Sequence, residues 1–245
     1  MSLIVQDLSK SFAEKSVLRD ISFEFEDGKI YALLGRNGAG KTTFFNCLIG
    51  NLSCEKGRFF LKAKEAESVD LREEDVALVE SAPEVPSFLT GWEFIRFLLA
   101  AQGLSAADFM ARYGLNGSDL AALFEHIGLD ETDRHKLIKD YSHGMKSKLL
   151  LLANLLLDTP VLLLDEPLSS VDVLAAEEMK AILRQHKAQR VTILSTHIMD
   201  LALSLCDEVV LLQNGQLRLV PRGGQDDAAY RETLIQALRG EVDHA

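Results

Sequence analysis

The spacing of hydrophobic and polar positions changes period twice along this chain. Near the start, "ISFEFEDG" sends Ile21, Phe23 and Phe25 one way and Ser22, Glu24 and Glu26 the other. It then turns at Asp27 and Gly28, so a half-buried strand is predicted. "KIYALLG" is a nearly unbroken apolar run, as a central strand requires. A helix is predicted from near Lys41 to near Gly50, and "GRFFLKAK" reads as another strand. Over residues 90–157 strand signals vanish. "LTGWEFIRFLLAA" opens with a capping box, Thr90 as N-cap and Glu93 three residues on, and Leu89 is spaced to staple onto Phe94. "SAADFMARYG", "SDLAALFEHIG" and "DETDRHKLIKD" are short helical patterns broken by glycines or an acidic turn. Another helix starts inside "YSHGMKSKLLLLANLL". Alternation then resumes with "VLLLDEP" as strand, "VLAAEEMKAILRQHKAQ" as helix, "RVTILSTH" as strand and "MDLALSLC" as helix. "EVVLLQNGQLRLV" is a hairpin over Asn214-Gly215, and "DDAAYRETLIQALRG" is an amphipathic closing helix.

This pattern predicts one α/β domain with a helical insertion. The expected core is residues 1–80 and 158–222, the insertion 81–157, and the closing helix 223–245. No internal repeat or low-complexity tract interrupts it. The most apolar stretch, residues 149–167, is broken by Asn154, Asp158 and Pro160. It falls short of the ~20 apolar residues of a membrane span, so a buried helix and a buried strand are expected. "MSLIVQDLSKSF" has neither a charged leader nor a long apolar run and does not read as a signal peptide. Against 26 Lys and Arg stand 37 Asp and Glu, a net charge of −11. A chain with that balance is a poor general binder of nucleic acid, which needs a basic footprint, and no nucleic-acid partner is expected. Cys47, Cys54 and Cys206 form no C-x-x-C pair and have no histidine at metal spacing. They read as reduced thiols and not as a zinc site.

Three motifs carry chemistry. "GRNGAGKT" supplies Gly35, Arg36, Asn37, Gly38, Ala39, Gly40, Lys41 and Thr42, with Thr43 next, and fits G-x-x-x-x-G-K-[ST] between a strand and a helix. Glycines there let backbone N–H groups curl around phosphate oxygens. Lys41 is spaced to reach the β and γ phosphates of a nucleotide, and the Thr42 hydroxyl to ligate Mg²⁺. "VLLLDEP" ends a buried strand on Asp165 and Glu166, at the strand end where α/β sheets bind ligands. Asp165 can hold Mg²⁺ through water, and Glu166 can polarise an attacking water. "ILSTH" ends a third strand on His197, which can face the γ phosphate. A second phosphate-seeking helix start, at Ser142 and Gly144, has no role in a single such site.

The order of phosphate loop, helical insertion, "YSHGM", "LLLLDEP", "SSVD" and "STH" resembles the ATP-binding cassette (ABC) ATPases over about residues 2–220. The resemblance implies an α/β P-loop NTPase (RecA-like) core with an N-terminal antiparallel β region and an inserted α-helical subdomain. It implies ATP and Mg²⁺ as ligands, hydrolysis by Glu166, His197 and Lys41, and Phe12 stacking on adenine. Ser142, His143, Gly144 and Met145 match the signature that covers a partner's ATP, and Asp172 matches the loop that touches the opposite subunit. The implied partners are a second cassette, identical or related, and an integral-membrane permease docked near the insertion and residues 76–92. The chain would then sit peripherally on the cytoplasmic side of a membrane. "GMK" is similar to exporter cassettes. A soluble cassette in iron–sulfur assembly, or on another cytosolic machine, stays open as an alternative. The segment that usually holds a glutamine has none; Glu80 and Ser81 stand there as a possible coupling loop. Leu168 and Ser170 also replace the Thr and Gly usual beside the acid pair.

Overall fold

The computed structural model describes the chain except residues 64–66, 81–84, 170, 189 and 241–245. In chain order the first elements are β1 (Ser2–Phe12), β2 (Lys15–Glu26), β3 (Ile30–Leu34), α1 (Lys41–Leu48), β4 (Lys56–Lys62), β5 (Val69–Asp70) and β6 (Val76–Val79). The helical stretch contains α2 (Gly91–Gln102), α3 (Ala106–Arg112), α4 (Leu120–His126), α5 (Glu131–Arg134) and α6 (His143–Leu156). After it come β7 (Val161–Asp165), α7 (Val173–His186), β8 (Val191–Thr196), α8 (Met199–Leu205), β9 (Glu208–Gln213), β10 (Gln216–Val220) and α9 (Asp227–Arg239). The fold is the expected mixed α/β class, with an N-terminal antiparallel sheet and a helical region. It divides into two compact units, Met1–Leu78 with Pro160–Glu166 and Lys187–Ala245, and Val79–Thr159 with Pro167–His186.

Three strands, β1, β5 and β6, appear that the two-residue period does not announce. β1 pairs antiparallel with both β2 and β4, but its register slips between Val5 and Leu8 and again around Lys10. Asp7 sits there at φ 51°, and such bulges break the alternation a strand reading depends on. β6 is only four residues long. The strands form one sheet ordered β2-β1-β4-β5 and another ordered β10-β9-β3-β8-β7-β6. In the second sheet β9, β3, β8 and β7 run parallel. Asn214 and Gly215, at φ 52° and 79°, make the tight turn into β10.

β3 explains the layering. All five of its residues are buried, and Tyr31 to Leu34 alternate between two apolar clusters. Tyr31 and Leu33 join Phe25 of β2 and Phe44 and Phe45 of α1. Ala32 and Leu34 join Ala202 of α8 and Tyr230 and Leu234 of α9. A strand covered on both faces has to read as a continuous apolar run, as "KIYALLG" does. The buried Cys47 belongs to the first cluster, and desolvation pushes its thiol up to about 12.

In the second unit the helices are set by their caps. Thr90 Oγ1 accepts from the Glu93 N–H at 3.2 Å while Glu93 Oε2 accepts from the Thr90 N–H at 2.9 Å, the expected capping box. Ser105, Asp119 and Asp130 cap α3, α4 and α5 likewise. Residues 167–186 group with the helices in the second compact unit, where α7 meets α6 through a Lys148–Glu178 ion pair and α4 through His186, 3.0 Å from His126. Among the described residues no single helix is long and apolar enough to cross a membrane. α2 and α3 together have the length but bend apart by 79° and bury Ile95, Leu99, Phe109 and Met110.

The Tyr230 hydroxyl, in a buried side chain, donates to the Val220 carbonyl at 2.6 Å. Tyr230→Phe is expected to cost about 1 kcal/mol of unfolding free energy, read from urea denaturation. Burial pushes this phenol from 10.0 up to about 12, so the folded state prefers the neutral form. Its contribution is present below pH 10 and drains away as pH climbs toward 12, a loss that the variant should flatten.

Candidate phosphate site

The loop after β3 is shaped by close approach. A Cβ on Gly35 would stand 2.8 Å from the Leu212 carbonyl oxygen, and one on Gly40 2.8 Å from Val17 Cγ1. Gly40 lies at φ 108° and Gly38 at φ 79°, both in the left-handed region. Ala39 N–H closes the turn on the Arg36 carbonyl at 3.0 Å. Arg36, Asn37 and Gly38 are exposed, while Ala39 and Thr43 are half-buried. α1 begins at Lys41 with no side chain capping it. Its first N–H groups are therefore left for an anion. The Lys41 ammonium, only 7% exposed, donates to the Gly35 carbonyl at 2.9 Å and lies 3.7 Å from Glu166 Oε1.

The two acids arrive by strand register. β7 and β8 run parallel with Asp165 opposite Ser195. Thr42 Oγ1 donates to Asp165 Oδ2 at 3.0 Å, and Ser195 Oγ donates to Asp165 Oδ1. Glu166 turns out of the strand at φ 51°, a conformation that costs a non-glycine residue ~1–3 kcal/mol unless its surroundings impose it. They do, because its N–H donates to both Ser195 Oγ and the Ser195 carbonyl at 3.2 Å. Its Oε1 lies 2.9 Å from His197 Nδ1. Its Oε2 is buried with no hydrogen-bond partner among the described residues. Ser195 is the residue that sequence reasoning missed. Its signal was a hydroxyl, one of three with Thr192 and Thr196, in the strand that leads to His197.

Lys41, Thr42, Asp165, Glu166 and His197 thus come together, and His197 stays exposed. A cleft of about 320 Å³ runs beside them, lined by Gly35, Arg36, Asn37, His197, Leu34 and Leu238, the last contributed by α9. The donor set fits Mg²⁺, which takes hard oxygen ligands, through the Thr42 hydroxyl and the Asp165 carboxylate. Phe12 ends β1, 45% exposed, with Lys10 Nζ 5.2 Å from its ring centroid.

The remaining expected residues lie in the second unit. Ser142 caps α6, its Oγ accepting from the Met145 N–H at 3.2 Å, which leaves the hydroxyl hydrogen to donate elsewhere. Ser142 and His143 are exposed, Met145 is half-buried and Gly144 is buried. Asp172 caps α7 through the Ala175 N–H at 3.0 Å. Glu80 is exposed; Ser81 and Ser170 lie outside the described residues.

The family model described as ABC transporter matches residues 18–169. The ATP-binding protein YxlF of Bacillus subtilis (strain 168), of an ABC transporter, is 34% identical over 88% of this chain and 69% of its own length. The sulfate/thiosulfate import ATP-binding protein CysA of Synechocystis sp. is 30% identical over 99% of this chain and 67% of its own. Among solved structures, the ATP-binding subunit of an ABC transporter superposes with a TM-score of 0.76 at 29% identity, covering 98% of this chain and 95% of that one.

Ser195→Ala would take one hydrogen bond from the Asp165 carboxylate, which keeps Thr42, and one from the Glu166 N–H, which keeps the Ser195 carbonyl. Nucleoside triphosphate hydrolysis should fall about tenfold, the equivalent of one hydrogen bond at a reacting centre. Nucleotide affinity should hold, as steady-state turnover beside equilibrium binding would show.

Proposed function

This chain belongs to the ABC transporter family as an ATP-binding, ATP-hydrolysing subunit, and we propose that it closes head to tail on a second cassette around two ATP molecules and drives a separate membrane permease. The observation that carries this reading is the division of phosphate-seeking groups. The loop, Lys41, the acid pair and His197 lie in one unit, and the Ser142 helix start lies in the other.

At the first site the loop N–H groups and Lys41 hold the β and γ phosphates. Bound Mg²⁺, held by Thr42 and through water by Asp165, would neutralise charge on the phosphate oxygens. Glu166 polarises the water that attacks the γ phosphorus as the bond to the β-phosphate oxygen breaks, giving ADP and phosphate. His197, 2.9 Å from the Glu166 carboxylate, keeps that carboxylate aimed at the water. The Ser142 hydroxyl, the N–H groups near Gly144 and the positive end of α6 would meet the partner's γ phosphate. A helix terminus contributes ~0.3–1 kcal/mol when exposed and up to ~2 when partly buried. Two such sites let ATP hold the dimer closed until it is hydrolysed.

The permease would dock on the helical unit near residues 76–92, where Phe88 and Phe97 are 76% and 63% exposed. Such docking would put the chain peripherally on the cytoplasmic face. Export is supported by the Gly144-Met145-Lys146 segment. An import protein stands among the relatives, so overall likeness does not carry the direction.

Glu166→Gln should lower ATP hydrolysis by about 10²–10⁴, the usual worth of a general base, while ATP binding survives. Hydrolysis at the parent rate would remove Glu166 from the mechanism. A mild-detergent pull-down from native membranes should recover a multi-span membrane protein in near-equal amount. Recovery only with soluble cluster-assembly proteins would overturn the transporter reading and leave the ATPase chemistry standing.

A further inference from the structure

α6 carries a charge where an apolar residue would be expected. Lys148 is 7% exposed and sits among Ser147, Leu149, Leu151 and Leu152, all buried. Its ammonium forms an ion pair with Glu178 of α7. One helical turn toward the N-terminus, the same two helices touch again. A Cβ on Gly144 would stand 3.3 Å from Ala175 Cβ and 3.4 Å from Asp172 Oδ2. Gly144 and Lys148 are four apart on α6, and Ala175 and Glu178 are three apart on α7, so each pair lies on one face of its helix. The two contacts make a two-point seam. Gly128 roofs the second point, since a Cβ there would lie 3.3 Å from Lys148 Nζ and 3.5 Å from Glu178 Oε1.

The seam joins the two helix starts of interest. α6 begins with Ser142 and α7 with Asp172, each capping its own helix. An ion pair whose ammonium is buried adds little net stability, since desolvation offsets the attraction. What the ion pair adds is direction, because it opposes sliding and rotation of one helix against the other. We infer that Lys148 and Glu178 are positioning residues that keep the Ser142–Gly144 helix start and Asp172 in one fixed arrangement, so that both reach the partner cassette together. This rests on the head-to-tail reading above.

The test uses the full chain carrying Glu166→Gln with Mg-ATP, and measures dimer affinity by sedimentation. Added Lys148→Met should weaken the ATP-driven dimer about tenfold. Glu178 is 39% exposed, but the Oε2 that faces Lys148 is buried, so this variant also loses some stability. Affinity for a fluorescent ATP analogue, at concentrations where the chain is monomeric, should remain that of the parent. Lys148→Arg should restore the dimer, a rescue that a merely space-filling role does not give. If Lys148→Met loses cooperative unfolding, the isosteric Glu178→Gln carries the same expectation. A Lys148→Met variant that folds and dimerises as tightly as its parent overturns the inference. A Glu166→Gln parent that stays monomeric with ATP takes down the head-to-tail reading, and this one with it.

Discussion

The site depends on the register of parallel strands more than on any single side chain. Leu34 lies opposite Thr196, and Asp165 opposite Ser195, so three strands end at one level. That level fixes where the phosphate loop leaves β3, where the acids leave β7 and where His197 leaves β8. A one-residue slip would turn Asp165 and Ser195 to the other face of the sheet. The two apolar clusters hold the register, since Leu33 and Leu163 must stay on one face and Leu34 on the other.

Electrostatics complete what register begins. Lys41 is buried at the mouth of a helix whose N–H groups are free, and Glu166 brings the compensating charge at 3.7 Å. A buried ammonium needs such an anion close by. When a γ phosphate arrives it competes for the same ammonium. The carboxylate, anchored by its backbone to Ser195 and paired to His197, is then left to a water. Under the proposed mechanism, ground-state pairing and hydrolysis would draw on the same side chains, Lys41, Glu166 and His197.

How much of this the sequence disclosed follows from how local each signal is. The loop around Lys41 was legible because its geometry admits few residue types, and Asp165, Glu166 and His197 because each ends an apolar run. The Thr90 and Glu93 box was legible for the same reason. β1 was not, because bulges near Asp7 scramble its alternation, and β6 is too short to show any. The contacts that group α7 with the helical unit, Lys148 with Glu178 and His126 with His186, join residues thirty and sixty positions apart, and no pattern within either helix reveals them. Ser195 escaped because a hydroxyl in a buried strand acquires meaning only from the carboxylate across the ladder.

The separation of the Lys41 loop from the Ser142 helix start has a genetic consequence. Under head-to-tail closure each composite site takes its loop from one chain and its helix start from the other. A chain defective only in the loop, mixed with one defective only at Ser142, would assemble one site from two sound halves and a second from two broken ones. Two inactive alleles would then complement each other in the same cell, whereas two loop alleles would not.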